Sequence, residues 1–490
     1  MAQIPNGPLS VLVVVLALYG WRTPTVRPES PIALEYRAAS PDNPLKGLVP
    51  YFGQGIDDSG KERFPHSLEF WYFPLSELMT GEDQFDWEPI ESRLRDVAQR
   101  GHQLVIRVFL EYPGKREGVP AFLVDQGLKI HEYLNSNTAP LPPATVRTPD
   151  WEDPRLRSAL QSFIAAFGAR YDGDPRIGYI TAGLLGTWGE WHDYPRTELW
   201  ASKTVQREVL EAYQQHFRRT PILLRYPTAG EPLYAMTSDL PFGYHDDSFG
   251  WATVETGRSE DDWFFARRLR DAGELNKWQT APVGGEIRPE VWGCIFDPQP
   301  CTPPGQDFSS CLAATHASWL METGLFTRPL DEERRAQAVK AVQRMGYDLW
   351  VSQALVEATS RQSMSVSIQL RNRGVAPFYR DDYRLELGLF EGQAQPVHAV
   401  VTDWRLTGVL PEVEQPEGRW LGPFVIEISD EIRQSLGHGQ RISVGLRTVP
   451  PFQGGTPVRF ANQAQDAEVP GWLMLGSLSG LEPGASSEEH

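Results

Sequence analysis

Two glutamates in this 490-residue chain stand in settings that equip a carboxyl group for chemistry. Glu190 lies within Trp188-Gly189-Glu190-Trp191-His192, and Glu286 follows Gly284-Gly285 at the end of an apolar segment. Glycines let the backbone approach a ligand, and flanking tryptophans exclude water, which raises the proton affinity of a neighbouring carboxyl. One carboxyl that keeps its proton beside another that is ionised is the pairing that cleaves an acetal: the first protonates the leaving oxygen, the second attacks the carbon or directs water at it.

Such a pair must be brought together by secondary structure. From residue 43 onward, short apolar runs alternate with amphipathic stretches, the pattern of repeated β-α units around a parallel sheet. The strand candidates are Gly47–Phe52, Ser67–Phe73, Gln103–Leu110, Ile177–Leu185, Pro221–Tyr226, Leu240–Asp246, Ala281–Glu286 and Ala313–Leu320. Leu104, Val105, Ile106, Val108, Phe109 and Leu110 form a near-continuous apolar run, as a strand buried on both faces requires. Between strands, Trp87, Ile90, Leu94, Val97 and Ala98 recur at helical spacing and stop at Gly101. Leu156, Leu160, Phe163, Ile164 and Phe167 do the same after Asp153-Pro154, a suitable cap and first helical residue. Further helices are expected at 196–219, 259–273 and 331–346. Eight strands with outer helices over residues 43–349 predict a (β/α)8 TIM-type barrel. An open doubly wound sheet would call for a Gly-rich dinucleotide fingerprint, and the chain has none.

After about residue 350 the period changes to two. Met364, Val366, Ile368 and Leu370 alternate with polar residues, as do Leu385, Leu387 and Leu389, then Ile442, Val444 and Leu446. Residues 350–476 are therefore expected to form an antiparallel β-sandwich, followed by a disordered tail at 477–490. At the other end, the apolar run Leu9 to Tyr19 is too short for a bilayer-spanning helix and fits the apolar part of a secretory signal or an N-terminal anchor within residues 1–20. A proline-rich extended linker is expected at 21–42.

In a barrel the reactive groups sit at the C-terminal ends of the strands. Strand three ends with Arg107 and Glu111, and strand four with Trp188, Glu190, Trp191 and His192. Strand five ends with Arg225 and Tyr226, and strand six with Tyr244, His245 and Asp246. Strand seven ends with Glu286, and strand eight carries His316 and Trp319. Glu190 and Glu286 are the expected catalytic pair, about three β-α units apart, so their strands face each other across the barrel. The others are expected to contact substrate: aromatics stack on sugar rings, while Arg, His and carboxylates hold hydroxyls. No HExxH or HxxEH spacing is present, so no metal is expected, and no cofactor motif is found. No GxSxG elbow supports a serine hydrolase.

Composition agrees. A net charge of −18 repels phosphate backbones, which argues against nucleic acid as a partner, while 16 Trp and 16 Tyr supply flat apolar faces for a neutral carbohydrate. A membrane contact is expected only through an N-terminal anchor, and the oligomeric state is not readable. Of the three cysteines, Cys294 and Cys301 are spaced to staple a short loop in an oxidising compartment, and three free thiols are an equal alternative.

A glutamate closing strand four and another closing strand seven resembles clan A glycoside hydrolases. The resemblance implies that Glu190 is the acid/base and Glu286 the nucleophile of a retaining hydrolysis, that Trp319 floors a sugar subsite, and that Tyr244 or His245 bonds the nucleophile. One position departs: Gly189 stands where many clan members carry Asn. The chain also resembles bacterial secreted proteins grouped as domain of unknown function 4832, through Asn43-Pro44-Leu45-Lys46-Gly47, Trp188-Gly189-Glu190, Gly284-Gly285-Glu286 and the trailing sandwich. The expectation is a secreted or envelope enzyme that cleaves glycosidic bonds of a poly- or oligosaccharide. The alternative is a non-catalytic, polysaccharide-binding envelope protein with a degenerate barrel.

Overall fold

The computed structural model describes residues 30–57, 59–115, 118–136, 142–327, 331–360, 362–392, 394–429, 432 and 441–478. The expected leader at 1–20, the first part of the 21–42 linker and nearly all of the expected tail lie outside the described residues. Among the described residues no helix is long and apolar enough to cross a membrane.

Eight parallel strands form one sheet: β1 (Gly47–Val49), β2 (Leu68–Pro74), β3 (Gln103–Glu111), β4 (Ile177–Thr187), β5 (Ile222–Leu224), β6 (Gly243–Phe249), β7 (Val283–Ile287) and β8 (Trp319–Met321). Each pairs with its sequence neighbours, and β8 returns to pair with β1. The circle closes between β1 and β2 through the parallel bridge Tyr51–Phe70, where Phe52 N donates to Phe70 O at 2.9 Å. This is a (β/α)8 barrel. The outer layer includes α1 (Glu88–Gln99), α2 (Pro154–Tyr171), α3 (Lys203–His216), α4 (Phe265–Asp271), α5 (Phe308–Thr315) and α6 (Glu332–Arg344). Among the described residues, no helix separates β1 from β2 or β5 from β6.

Local chemistry explains the helices. The Asp153 carboxylate accepts from Arg155 N at 2.9 Å, and Pro154 occupies the first turn of α2. Leu156, Leu160, Phe163, Ile164 and Phe167 then turn one apolar stripe toward the barrel. The last expected strand is altered by the same chemistry. Asp307 caps α5 by accepting from Ser310 N at 2.7 Å, so residues 313–315 finish a helix, His316 ends it in the left-handed region, and β8 starts only at Trp319. A stretch of that length is ambiguous between the two periods until its cap is recognised.

Strand alternation sorts the barrel residues into two layers. Leu104, Ile106 and Val108 pack outward on the helices, while Val105, Phe70, Tyr179, Leu223 and Trp319 fill the interior. Trp319 is fully buried, its indole lying across Gly284, where a Cβ would sit 2.2 Å from the ring. That glycine is set by packing.

The C-terminal part, joined by Ile32–Ala33, is two four-stranded antiparallel sheets. One holds Ile32–Ala33, β9 (Leu349–Ala358), β10 (Ser363–Asn372) and β13 (Arg419–Glu427). The other holds β11 (Arg384–Phe390), β12 (His398–Val401), β14 (Ile442–Val449) and β15 (Leu473–Leu478). Val366, Ile368 and Leu370 meet Leu385, Leu387, Leu446 and Leu473 in one core, each contributing about 1.5–3 kcal/mol of burial. The described part of the proline-rich stretch is docked there, with the Tyr36 hydroxyl donating to Asp348 at 2.7 Å.

This core runs without interruption into the barrel interior through Tyr347, Phe378 and Tyr383, so the sandwich closes the N-terminal end of the barrel. The segment Asn43–Gly47 is the joint. Pro44 O accepts from Tyr347 OH at 2.7 Å, Leu45 O from Tyr179 OH at 2.8 Å, and buried Lys46 donates to Tyr347 O at 2.6 Å. Asn43 exchanges two bonds with the Arg459 backbone at 3.0 and 2.9 Å.

Because the Trp319 indole fills the space beside Gly284, Gly284→Ala is expected to cost about 1–3 kcal/mol through overpacking. Urea denaturation at neutral pH reads this directly, and an unshifted midpoint would mean that the indole yields freely.

Candidate active site

The open end of the barrel is opposite the sandwich. Glu286 lies on β7 two residues beyond Gly284, so both share the inward face. Glu190 sits in the turn after β4. That turn is built against local preference: Trp188 and Trp191 both have φ of 57°, and Leu184, still within β4, has 70°. Left-handed backbone in such residues costs on the order of 1–3 kcal/mol each and persists only where surroundings impose it. Here Trp188 N donates to Glu111 O at 2.9 Å, Thr187 N to His192 O at 2.9 Å and Trp191 N to Leu185 O at 3.0 Å. Gly189 has φ 69°, and a Cβ there would lie 3.1 Å from Val108 O and 3.2 Å from Gly183 Cα. Packing against β3 and β4 therefore favours glycine where many clan A enzymes carry Asn.

Arg107 organises the mouth. It rises from β3 in the interior, 2% exposed, and its Nη1 donates to Glu190 Oε1 at 2.7 Å and to the Tyr72 hydroxyl at 3.1 Å. Its Nε donates to Thr181 Oγ1 at 2.8 Å, and its Nη2 lies 3.2 Å from His245 Nε2. Burial, and then the Arg107 cation, hold His245 well below the ordinary imidazole range, so the ring is neutral. The second Glu190 oxygen lies 3.8 Å from His192 Nε2.

Glu286 has the opposite environment. Burial, then the charge of Glu190, push its carboxyl far above the ordinary carboxylate range, although Arg107 and Arg288 pull the other way. Tyr72, bonded to Arg107, has Tyr51 and Tyr112 beside it with ring centres 6.1 and 5.9 Å away, and all three rings lie within range of the charges of Glu286 and Glu190. Beside the mouth, Arg225 Nε donates to Asp247 Oδ2 at 2.6 Å. Burial opposes the Asp247 charge, but Arg225 outweighs it and holds the carboxyl below its ordinary range.

Of the residues expected from sequence, Glu190, Glu286, Arg107, His192 and Arg225 converge on the mouth, with His245 directly beneath Arg107. Trp188 is partly exposed, edge-on to His192 with ring centres 6.2 Å apart. Tyr226 is partly buried with one face covered by Tyr234 at 4.5 Å. The others lie elsewhere, each for a reason of register. Tyr244 and Asp246 alternate with His245 and face outward; Tyr244 joins the helix-facing core, and Asp246 accepts from Thr253 Oγ1 at 2.7 Å. Trp191 is buried, its Nε1 donating to Ala182 O at 2.6 Å. Glu111 turns to Thr148, whose hydroxyl donates to it at 2.6 Å. Trp319 opens β8 rather than closing it, so it plugs the interior below the mouth. His316 precedes β8 and lies at the sandwich end, stacked on Trp278 at 3.9 Å and bonded to Val375 O at 2.6 Å.

Sequence reasoning passed over Asp247, Tyr51, Tyr72 and Tyr112. Asp247 follows from counting two residues beyond inward-facing His245. Tyr51 and Tyr72 belong to the ends of strands one and two, to which the strand-end rule applies equally.

Among the described residues, two triads bring ligand-type atoms within 4.8 Å of one another: His66, Glu69 and His102, and Glu190, His192 and Asp247. In both, guanidinium groups already hold the carboxylates. Arg100 donates to both Glu69 oxygens at 2.8 and 2.9 Å, while Arg107 and Arg225 hold Glu190 and Asp247. Neither triad is assigned to a metal.

No family model matches the chain, and no curated protein matches it. Among solved structures, it is similar to endo-glycoceramidase II from Rhodococcus sp. in a complex with a cellobiose-like imidazole, at 11% identity and a TM-score of 0.37, covering 69% of this chain and 87% of the other. It is also similar to the catalytic domain of a Paenibacillus polymyxa beta-amylase, at 11% identity and a TM-score of 0.39, covering 61% and 98%. A third is the Pseudomonas stutzeri endoglucanase Cel5A, at 13% identity and a TM-score of 0.35, covering 61% and 94%. Likeness at this level carries no inference about chemistry.

Removing one partner of the buried Arg107–Glu190 pair strands a charge. Arg107→Met is expected to lower stability by about 3–5 kcal/mol, and much of that loss should return when Glu190→Gln is added. Chemical denaturation of the two single variants and the double variant measures the coupling; additive losses would mean that the pair does not interact.

Proposed function

We propose that this protein is a glycoside hydrolase that cleaves a poly- or oligosaccharide with Glu190 and Glu286. The observation that carries the reading is the contrast between the two groups: one carboxylate is ion-paired to a buried arginine, while the carboxyl sharing its mouth is driven to keep a proton. A carboxyl raised in this way suits the acid, and a carboxylate ion-paired beside it suits the nucleophile. The tyrosine-lined rim suits sugar rings, with apolar faces for stacking and hydroxyls for hydrogen bonds.

The electrostatics support roles opposite to those implied by the clan A resemblance. Glu286, protonated, donates to the glycosidic oxygen as the C–O bond breaks. Glu190, held by Arg107, attacks the anomeric carbon to give a glycosyl ester. Glu286, now ionised, takes a proton from water, which displaces Glu190 and restores both groups with retained configuration. Activity should therefore fall as pH rises through the elevated Glu286 range, because the donor is lost.

Gly189 favours a second reading, in which a degenerate barrel binds polysaccharide without cutting it. A position outside the cytoplasm is also proposed. Cys294 and Cys301 are joined in a disulfide while Cys311 is buried and free, a pattern suited to an oxidising compartment.

Screening the purified protein against diverse polysaccharides should release reducing ends, and Glu286→Gln and Glu190→Gln should each lower turnover by about 10²–10⁴-fold. Calorimetric binding without products would favour the second reading. Aryl glycosides with good leaving groups separate the roles, since they need no protonation. Glu286→Gln should retain cleavage of them and Glu190→Gln should not; the reverse result would restore the roles implied by the resemblance.

A further inference from the structure

Behind the Glu190 turn lies a second pair of carboxyls that the proposed chemistry does not use. Glu111 ends β3 and Asp193 ends the turn, and each is 1% exposed. One oxygen of each has a donor: Thr148 Oγ1 bonds Glu111 Oε2 at 2.6 Å, and Trp151 Nε1 bonds Asp193 Oδ2 at 3.2 Å. Glu111 Oε1 and Asp193 Oδ1 are buried without a donor at hydrogen-bond geometry among the described residues, although the Thr187 N–H also acts on the Asp193 carboxyl. The two carboxyl groups lie against each other, close enough for a proton to bridge them. Ionised carboxylates only accept, so a bond between two of them requires a proton on one.

We infer that Glu111 and Asp193 share a single proton, and that this proton fastens the Glu190 turn to the tip of β3. Together with the bond from Trp188 N to Glu111 O, it spans the turn from its first residue to its last and holds a backbone that left-handed Trp188 and Trp191 would otherwise relax. Glu111 and Asp193 are thus positioning residues. The titratable and charged groups facing them are Tyr133 from the antiparallel pair Ile130–Asn135 and Ala144–Pro149 between β3 and α2, Tyr234 from the β5–β6 connection, and Arg196, which lies 5.1 Å over the Tyr133 ring and is paired with Glu198. Burial, then the Asp193 charge, raise Glu111 well above its ordinary range, and burial brings Asp193 up to about 7.

The sign of the pH dependence follows. Asp193 in the closed pair ionises at about pH 7, while Glu111, held well above its ordinary range, keeps the proton that the pair then shares; the separated groups, at ordinary carboxylate values, have lost theirs above about pH 5. Opening therefore releases two protons up to about pH 7 and one above it. Its equilibrium constant rises throughout, by about tenfold per pH unit where a single proton is shared and more steeply below. The turn is tight in acid and loosens as pH rises.

Hydrogen exchange of the Trp188, Glu190 and Trp191 amides from pH 5 to 8, corrected for intrinsic rates, tests this without a substrate, so its outcome is independent of the glycosidase reading. Wild-type protection should fall by about tenfold per pH unit or more across the whole range. In Glu111→Gln and Asp193→Asn a carboxamide N–H replaces the shared proton, and protection should become independent of pH. A flat wild-type profile, or an unchanged slope in whichever variant folds, would overturn the inference. A second measurement is the infrared C=O stretch of a protonated carboxylic acid at neutral pH. Its intensity should drop in Glu111→Gln relative to wild type, and equal intensity would count against the shared proton.

Discussion

A guanidinium buried inside a barrel is the constraint on which this site depends. Withdrawing Arg107 and Glu190 from water costs several kcal/mol per ion, and their attraction offsets this only where every remaining donor is also satisfied. The surroundings meet that demand. Thr181 and Tyr72 accept from Arg107, and a neutral His245 lies against its remaining edge. The same requirement sets the state of Glu286. One arginine neutralises one carboxylate, so the second carboxyl in the mouth is held in its protonated form by burial and by the charge of the first.

Such a pair needs an unyielding seat. Beneath it, Trp319, Tyr179 and Phe70 fill the interior, and that packing continues through Tyr347 and Tyr383 into the sandwich. The sandwich therefore acts as the closed base of the barrel, and the Asn43–Gly47 segment is used almost atom by atom to join the two. Around the mouth the logic is reversed: the Glu190 turn is locally strained and held by tertiary bonds. Rigid below and imposed above is the arrangement expected where a side chain must be aimed rather than merely buried.

The period of the hydrophobic pattern made the architecture legible. Continuous apolar runs marked the barrel strands, capped stripes such as Asp153–Phe167 marked helices, and the change to a period of two marked the sandwich. The exception is instructive. Residues 313–320 mix alanines, Trp319 and Leu320 with Thr315, His316 and Ser318, a pattern that fits neither period, and only the Asp307 cap reveals that their first part is helical. That error moved His316 from an imagined rim to the opposite end of the barrel.

Residue types and order along the chain were thus enough to determine the barrel, the sandwich and the strand ends near which Glu190 and Glu286 lie, because burial imposes periodicity and a strand end is a position in sequence. Which way each side chain points was decided by tertiary structure. A single-residue change of register separates His245 from Asp246, and bulges at the end of β4 break the count altogether. The partners were decided there too. Arg107 meets Glu190, and Glu111 meets Asp193, across distances in sequence that no local pattern encodes, and it is those partners that set each group's charge.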